Sequence, residues 1–173
     1  MRVLFVCQAN MCRSPLAEAL GRRIASERGV VQIHFRSCGL YAAEGMGAVP
    51  QVIEIAERLG ADLSAHQSRP FSMQLGHWAD YIVAMTRSQK EEVLRRLPVL
   101  RRRTFTFAEW VYHVTGTRPR WRDVVDPVGG PPEGFEKCAA LLYDALSNVM
   151  DVVSGEVPRR EPRGLARLFA RPW

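Results

Sequence analysis

The chain has 173 residues, of which 47% are hydrophobic, and this is enough to bury the core of one globular domain. No apolar run approaches the roughly 20 residues of a membrane-spanning helix, so stable membrane insertion is not expected. The net charge is +6, and half of it comes from the five arginines and two glutamates of residues 155–173. Basic residues are not interleaved with aromatics, so a nucleic-acid partner is not expected.

The N-terminus and the cysteines bear on the cellular compartment. The first residues form a short apolar run without the charged start and cleavage site of a signal peptide. The cysteines lack the spacing of a zinc site and stand at Cys7, Cys12, Cys38 and Cys138. Free thiols persist in a reducing compartment, so the sequence predicts a cytoplasmic protein with no metal and no other cofactor.

The first third of the chain alternates strand and helix patterns. Residues 2–7 are a continuous apolar run, which is typical of a buried parallel strand. A helix is predicted next, with Ser14 as its N-cap, Pro15 at its first position and Gly29 after its end. Alternating apolar residues over 31–37 predict a second strand.

The rest of the chain continues this alternation. Helices are predicted over residues 49–59, 88–97, 108–114 and 135–153, and strands over 81–85 and 104–107. Strands that alternate with helices favour parallel pairing through right-handed crossovers. We therefore expect an α/β domain over residues 1–154, a doubly wound open parallel sheet of about four strands with helices on both faces. Residues 155–173 are predicted to form a basic, flexible tail.

One segment joins the first strand to the first helix, and it reads Cys7-Gln8-Ala9-Asn10-Met11-Cys12-Arg13-Ser14-Pro15. Such a turn directs main-chain N–H groups and the positive end of a helix dipole at one point, which favours an anion. A cysteine there has its thiolate stabilised, and Arg13 adds a planar fork that can bind two phosphate oxygens. The segment therefore predicts a nucleophile beside a phosphate site. The alternative is a buried cysteine at a strand end, followed by an ordinary capped helix.

Two motifs in this sequence resemble those of a known family. Residues 7–15 resemble the phosphate-binding loop of the low-molecular-weight protein tyrosine phosphatases. Asp126-Pro127, followed by Gly129-Gly130, resembles the general-acid loop of the same family. The resemblance covers residues 1–154 in order and spacing, and it implies a role for individual residues.

By this resemblance, Cys7 is the nucleophile that forms a phosphocysteine, and Arg13 stabilises the phosphate oxygens. The phosphate-binding loop comprises Gln8, Ala9, Asn10, Met11, Cys12, Arg13 and Ser14. Asp126 is the expected general acid, because the phenolate that leaves phosphotyrosine needs a proton. Asp123 is the competing carboxylate, and the alternative for Asp126 is an ordinary Asp-Pro turn.

Further residues are expected to support this loop. The resemblance implies that Asn10 braces the loop and that Ser14 donates its hydroxyl to the thiolate. Ser37 and His66 match positions that hydrogen-bond to the loop asparagine, although a surface loop explains a single histidine equally well. Cys12 matches a cysteine that forms a reversible disulfide with the nucleophile and prevents its over-oxidation, and the alternative is a small packing residue.

Two residues depart from the family pattern. Ala9 stands where glycine is usual, and alanine would cost about 1 kcal/mol if the position needs a positive φ. Val128 stands where many members carry an aromatic that walls the substrate slot. We consider Tyr41, Trp110 and Trp121 as substitutes for that wall.

The predicted function is hydrolysis of phosphotyrosine. The resemblance implies phosphotyrosine-containing proteins as substrates and a cognate tyrosine kinase as a partner. A thioredoxin-coupled arsenate reductase is disfavoured, because residues 80–95 hold no further cysteine. A protein-arginine phosphatase is a second alternative, although that group favours threonine where Met11 stands. A non-catalytic phosphate-binding module is a third, and it would need neither Cys7 nor Asp126.

Overall fold

Four parallel strands form the central sheet in the computed structural model, which describes residues 1–160. The strands are β1 (Arg2–Cys7), β2 (His34–Gly39), β3 (Tyr81–Ala84) and β4 (Thr104–Thr106), in the spatial order β2-β1-β3-β4. Every pairing is parallel, so the chain crosses over between strands. The predicted open α/β sheet is confirmed. Residues 161–173, most of the predicted tail, lie outside the described part of the chain.

Helices cover both faces of the sheet. They are α1 (Arg13–Glu27), α2 (Pro50–Arg58), α3 (Met73–Trp78), α4 (Arg87–Arg96), α5 (Phe107–Thr115) and α6 (Pro132–Ser154), and a 3-10 segment (Pro98–Arg103) precedes β4. Side chains of α1, α2, α5 and α6 share one core with Val3 and Phe5, whereas α3 and α4 share a second core with Leu4 and Val6. Successive residues of β1 therefore enter opposite cores, which explains its uninterrupted apolar run. None of the described helices is long and apolar enough to cross a membrane.

Phe5 is the centre of the larger core. Its ring stacks on Phe35 of β2 with 5.7 Å between centroids, and it meets the edge of Trp110 at 5.8 Å. Phe107 lies 5.9 Å away. Such aromatic pairs add to the stability that comes from area burial alone. They fix α5 against the strand whose last residue is Cys7.

The start of α1 differs from the prediction. The helix begins at Arg13 with Cys12 as its N-cap, and no side chain in the described part of the chain caps it. Ser14 is therefore not the N-cap, and Pro15 is the third helical residue rather than the first. The Ser14 hydroxyl is engaged elsewhere, because it contacts the Cys7 sulfur and the Cys38 carbonyl.

Two further elements also differ. β2 begins at His34, because it pairs in register with a partner strand that itself begins at Arg2. The alternation of apolar residues over 31–37 predicts that Val31 belongs to this strand, but Val31 precedes β2 and is 82% exposed. The sequence pattern does not predict α3, which has six residues. The Ser72 hydroxyl caps this helix and accepts a hydrogen bond from the Leu75 amide at 3.2 Å.

The last described residues return towards α5. Helix α6 ends at Gly155, which has a left-handed backbone with φ of 85°. The Val157 amide then donates to the Asp151 carbonyl at 2.9 Å, and the Arg160 amide donates to the Thr115 carbonyl at 3.0 Å. Residues 155–160 thus contact both helix ends. The domain boundary after residue 154 stays a prediction.

The buried thiol of Cys138 predicts a pH dependence of stability. Burial within the larger core raises the pKa of Cys138 to about 12, against roughly 8.5 in an unfolded chain. Between these values only the unfolded state loses this proton, so the free energy of unfolding falls as the pH rises. The fall is up to about 1.4 kcal/mol per pH unit for this thiol.

We expect Cys138→Ala to show a shallower decline than the wild type in urea unfolding at pH 8, 9 and 10 with reductant present. The slopes decide the matter rather than the absolute stabilities, since the alanine also leaves a small cavity. Parallel curves for the two proteins would contradict the effect of burial on this thiol.

Candidate active site

The loop between β1 and α1 begins at Cys7, at the carboxyl end of a central strand. Neighbouring segments bind its carbonyl groups: the Leu40 amide donates to the Cys7 carbonyl, and the Val49 amide donates to the Met11 carbonyl, each at 2.9 Å. Within the described residues, no main-chain amide of residues 8–13 donates to another protein atom. An anion-binding loop requires amides that are free to donate to the anion, and here the loop carbonyls are bound by neighbouring segments instead.

Asn10 is the internal brace of this loop. It is fully buried, with a left-handed backbone at φ of 56°. Its Nδ2 donates to the hydroxyls of Ser14 at 2.9 Å and Ser37 at 2.8 Å, and its Oδ1 accepts from the Arg69 amide at 2.9 Å. The Nε2 atom of His66 lies 2.7 Å from the Asn10 carbonyl. All of the predicted supporting residues therefore meet at one asparagine.

Ser14 links this brace to the sulfur of Cys7. Its hydroxyl oxygen lies 3.0 Å from the Cys7 Sγ and 3.2 Å from the Cys38 carbonyl oxygen. Since the hydroxyl already accepts from Asn10, its single proton is available for one of these two acceptors. The proton can therefore turn to the sulfur when Cys7 is a thiolate and to the carbonyl when it is a thiol.

Arg13 is a buried cation, with only 4% of its side chain exposed. Its Nη1 donates to the Val124 carbonyl at 3.1 Å, and its Nη2 forms an ion pair with Asp126. The Nε is buried and has no partner among the described residues. Because a buried donor without a partner is costly, the position suits a bound oxyanion.

The two candidate acids occupy different places. Asp126 lies against Arg13, and its other oxygen accepts from the Val128 amide at 3.3 Å. The carboxylate of Asp123 instead accepts from the Arg87 amide, at the first residue of α4, at 2.9 Å. Only Asp126 is therefore next to the guanidinium at the loop.

The remaining cysteines are held as thiols. Burial raises the pKa of Cys12 far above its usual range, and the neighbouring Cys138, Asp126 and Cys7 raise it further. Burial likewise raises the pKa of Cys38. A thiol of this kind is a weak nucleophile at neutral pH. The disulfide between Cys7 and Cys12 stays a prediction.

Ala9 needs no special backbone. Among the non-glycine residues that the structure describes, only Asn10 has a positive φ, so the expected cost of alanine does not arise. Glycine is required at Gly39 instead, where a Cβ would lie 2.7 Å from the Gln8 carbonyl oxygen. Sequence reasoning missed Gly39, although its position directly after the Ser37-Cys38 pair at a strand end was a usable signal.

One of the three candidate aromatics is available at the surface. Trp110 is wholly buried beside Phe5, and the ring of Trp121 stacks on Phe107, so neither replaces an aromatic at Val128. Tyr41 is 60% exposed and follows the residue that binds the Cys7 carbonyl. Its hydroxyl donates to Glu92 at 3.0 Å, and the Arg96 guanidinium lies 4.6 Å from its ring centre.

Asn10 variants separate the backbone from the side-chain contribution. Asn10→Gly keeps the left-handed backbone but removes the amide, whereas Asn10→Ala also strains the backbone by about 1 kcal/mol. We expect both variants to bind inorganic phosphate more weakly in calorimetry, because Ser14 and Ser37 lose their common partner. In urea unfolding, the free energy of unfolding of Asn10→Ala should be lower than that of Asn10→Gly by about 1 kcal/mol.

The matched control is Gly47→Ala, since among the described residues no atom beyond its two chain neighbours lies within 4 Å of the added Cβ. It should leave both measurements close to the wild type. Equal stability of the glycine and alanine variants would contradict the left-handed strain, and unchanged phosphate affinity would contradict the role of the amide.

Comparisons with known proteins agree with this geometry. The sequence profile described as low molecular weight phosphotyrosine protein phosphatase matches residues 2–159. A protein-arginine-phosphatase of Geobacillus stearothermophilus is 33% identical over 155 residues, which cover 90% of this chain and 97% of that protein. A probable low molecular weight protein-tyrosine-phosphatase, EpsP, of Ralstonia nicotianae is 32% identical over 157 residues, which cover 91% and 94%.

A solved structure gives the same result for the fold. The low molecular weight protein tyrosine phosphatase from T. tengcongensis superimposes with a TM-score of 0.79 at 31% identity, over 87% of this chain and 98% of that one. The profile match over residues 2–159 includes both motifs that carry the resemblance. The chain belongs to the low molecular weight phosphotyrosine protein phosphatase family.

Proposed function

We propose that residues 1–154 form a phosphatase that hydrolyses phosphotyrosine in proteins through a phosphocysteine at Cys7. The observation that carries the proposal is the convergence at one loop of a sulfur, free amides and a buried guanidinium. The Cys7 Sγ is hydrogen-bonded to Ser14, and Arg13 lies beside Asp126 with an Nε that has no partner within residues 1–160. A non-catalytic module would need the amides and Arg13, but neither the sulfur nor the acid.

In the first step the phosphate oxygens bind the amides of residues 8–13 and the guanidinium of Arg13. The Cys7 thiolate attacks phosphorus, so that an S–P bond forms while the P–O bond to the tyrosine breaks. The electron pair of the broken bond stays on the phenolic oxygen, which takes the proton of Asp126. Since the phenol has a pKa of about 10, this proton makes it a much better leaving group.

The second step returns the enzyme to its starting state. Asp126, now a carboxylate, takes a proton from a water molecule that attacks phosphorus. The S–P bond breaks, inorganic phosphate forms, and the electron pair returns to the Cys7 sulfur. The Ser14 hydroxyl, 3.0 Å away, then donates to the thiolate.

The ion pair between Arg13 and Asp126 supports this sequence of events. A bound phosphate dianion competes with the carboxylate for the same guanidinium. Substrate binding thereby frees the Asp126 carboxyl from its ion pair.

A second candidate substrate is phosphoarginine. The observations that favour it are the Geobacillus relative named a protein-arginine-phosphatase and the exposed aliphatic Val128 after Asp126-Pro127. For phosphotyrosine, the proposed setting is the cytoplasm, with a cognate tyrosine kinase as the opposing enzyme. The four free cysteines suit that compartment.

The test compares phosphate release from peptides that carry phosphotyrosine, phosphoarginine or phosphoserine, with EDTA and reductant present. We expect turnover of the phosphotyrosine peptide to be abolished in Cys7→Ser and lowered by about 10²- to 10⁴-fold in Asp126→Asn. Cys138→Ala is the matched control, a thiol outside the loop, and should retain turnover.

The outcomes divide the candidate functions. Turnover that survives in Cys7→Ser would overturn the phosphocysteine mechanism. Faster turnover of the phosphoarginine peptide would replace the substrate but keep the mechanism. Binding of the phosphopeptides without release from any of them would leave the non-catalytic module as the function.

A further inference from the structure

Asp123 makes a contact that the proposed reaction does not use. Its Oδ1 accepts a hydrogen bond from the Arg87 amide at 2.9 Å. Arg87 is the first residue of α4, so its amide has no acceptor within the helix. The Thr86 hydroxyl caps the same helix through the Gln89 amide at 3.2 Å. Two side chains thus satisfy two different amides at one helix end.

The next residue extends this attachment. The Val124 amide donates to the Met85 carbonyl at 2.8 Å, and the Val124 side chain is fully buried. Its carbonyl accepts from the Nη1 of Arg13 at 3.1 Å. Residues 123 and 124 therefore fasten the loop to the end of β3, to the start of α4 and to the phosphate-binding arginine.

Asp126 lies two residues beyond this attachment, against Arg13. The loop that carries it runs between α5 and α6 without regular structure. The position of the acid over the phosphate site therefore depends on how firmly residues 123 and 124 are held. Small displacements of a catalytic group lower rates strongly.

Asp123 is badly placed to be the acid itself. Its oxygen already accepts an N–H bond at a helix N-terminus, and the helix dipole there attracts a negative carboxylate. A general acid must instead carry a proton and face the leaving group. The exposed carboxylate and the buried guanidinium of Arg13 have no contact with each other among the described residues.

We infer that Asp123 is a positioning residue, which ties the acid loop to α4 so that Asp126 reaches the leaving-group oxygen. The inference rests on the proposed function, since it concerns the acid of that reaction. It predicts an effect on leaving-group protonation and not on attack by Cys7.

The test uses two substrates with different leaving groups, phenyl phosphate and p-nitrophenyl phosphate. The p-nitrophenolate is the weaker base and needs little protonation, so its release depends less on the acid. Asp123→Ala should lower kcat/KM, which reports on the first step alone, about tenfold or more for phenyl phosphate and by a clearly smaller factor for p-nitrophenyl phosphate. Asp123→Asn keeps an acceptor oxygen and should stay within about threefold of the wild type for both.

Thr86→Ala is the matched control. It removes the other cap of α4 but leaves the hydrogen bond of Asp123 to Arg87 in place. We expect it to affect both substrates alike. Equal losses of activity towards both substrates in Asp123→Ala would overturn the inference. A loss in Asp123→Asn as large as that in Asp123→Ala would also overturn it, because that result would make Asp123 the acid.

Amide hydrogen exchange gives a readout that does not need turnover. Asp123→Ala should raise the exchange rate of the Arg87 and Val124 amides, whereas Asp123→Asn should leave it close to the wild type. If the wild type hydrolyses neither substrate, the proposed function has failed, and the exchange rates still decide whether Asp123 holds the loop. Unchanged exchange in Asp123→Ala would overturn the attachment.

Discussion

The buried amide of Asn10 is the interaction on which the phosphate-binding loop depends. Among the described residues, no main-chain amide of residues 8–13 donates to another protein atom, so another group must fix the shape of this loop. Asn10 does so through Ser14, Ser37 and the Arg69 amide, with a left-handed backbone that asparagine adopts more readily than most residues. The same amide donates to the hydroxyl that contacts the Cys7 sulfur, and thus connects the shape of the loop with the surroundings of that sulfur.

Arg13 is a buried cation, and its positive charge needs a partner even before a substrate binds. The Val124 carbonyl and the Asp126 carboxylate supply it, and both belong to the acid loop. Arg13 therefore holds the acid loop in place while the acid loop stabilises Arg13. In the proposed reaction, a phosphate that enters the site takes over the guanidinium from a carboxylate of the same sign. Ligand binding and acid position would then be coupled through this one side chain.

The local parts of this arrangement could be predicted from the sequence. The apolar run of β1, the turn at residues 7–15 and the Asp126-Pro127 motif are each contiguous, so their chemistry is visible in one dimension. Contacts over long sequence separations could not be predicted in this way. The bond of Asp123 to the Arg87 amide spans 36 residues, and it depends on how α4 packs against the sheet. The N-cap role of Ser14 was wrong for the same reason, because its hydroxyl lies against β1 and β2, where it makes the contact with the Cys7 sulfur that the resemblance implied.

The residues that react with the phosphoryl group cannot distinguish phosphotyrosine from phosphoarginine, so other side chains must do so. Phosphotyrosine and phosphoarginine both present a phosphoryl group to the loop, and both leaving groups, a phenolate and a guanidine nitrogen, need a proton. In the proposed mechanism, Cys7, Arg13 and Asp126 therefore have the same roles with either substrate. The part that differs between the two is the moiety that carries the phosphoryl group, a flat ring or an alkyl-guanidino chain, and only side chains around the loop can tell these apart. In this chain Val128 and Tyr41 are exposed there, and the Tyr41 ring is already engaged by Arg96 and Glu92. A ring held by its own protein is less free to stack on a substrate. Under the proposed function, this leaves Val128 as the exposed side chain after Asp126-Pro127 that can discriminate between the two substrates.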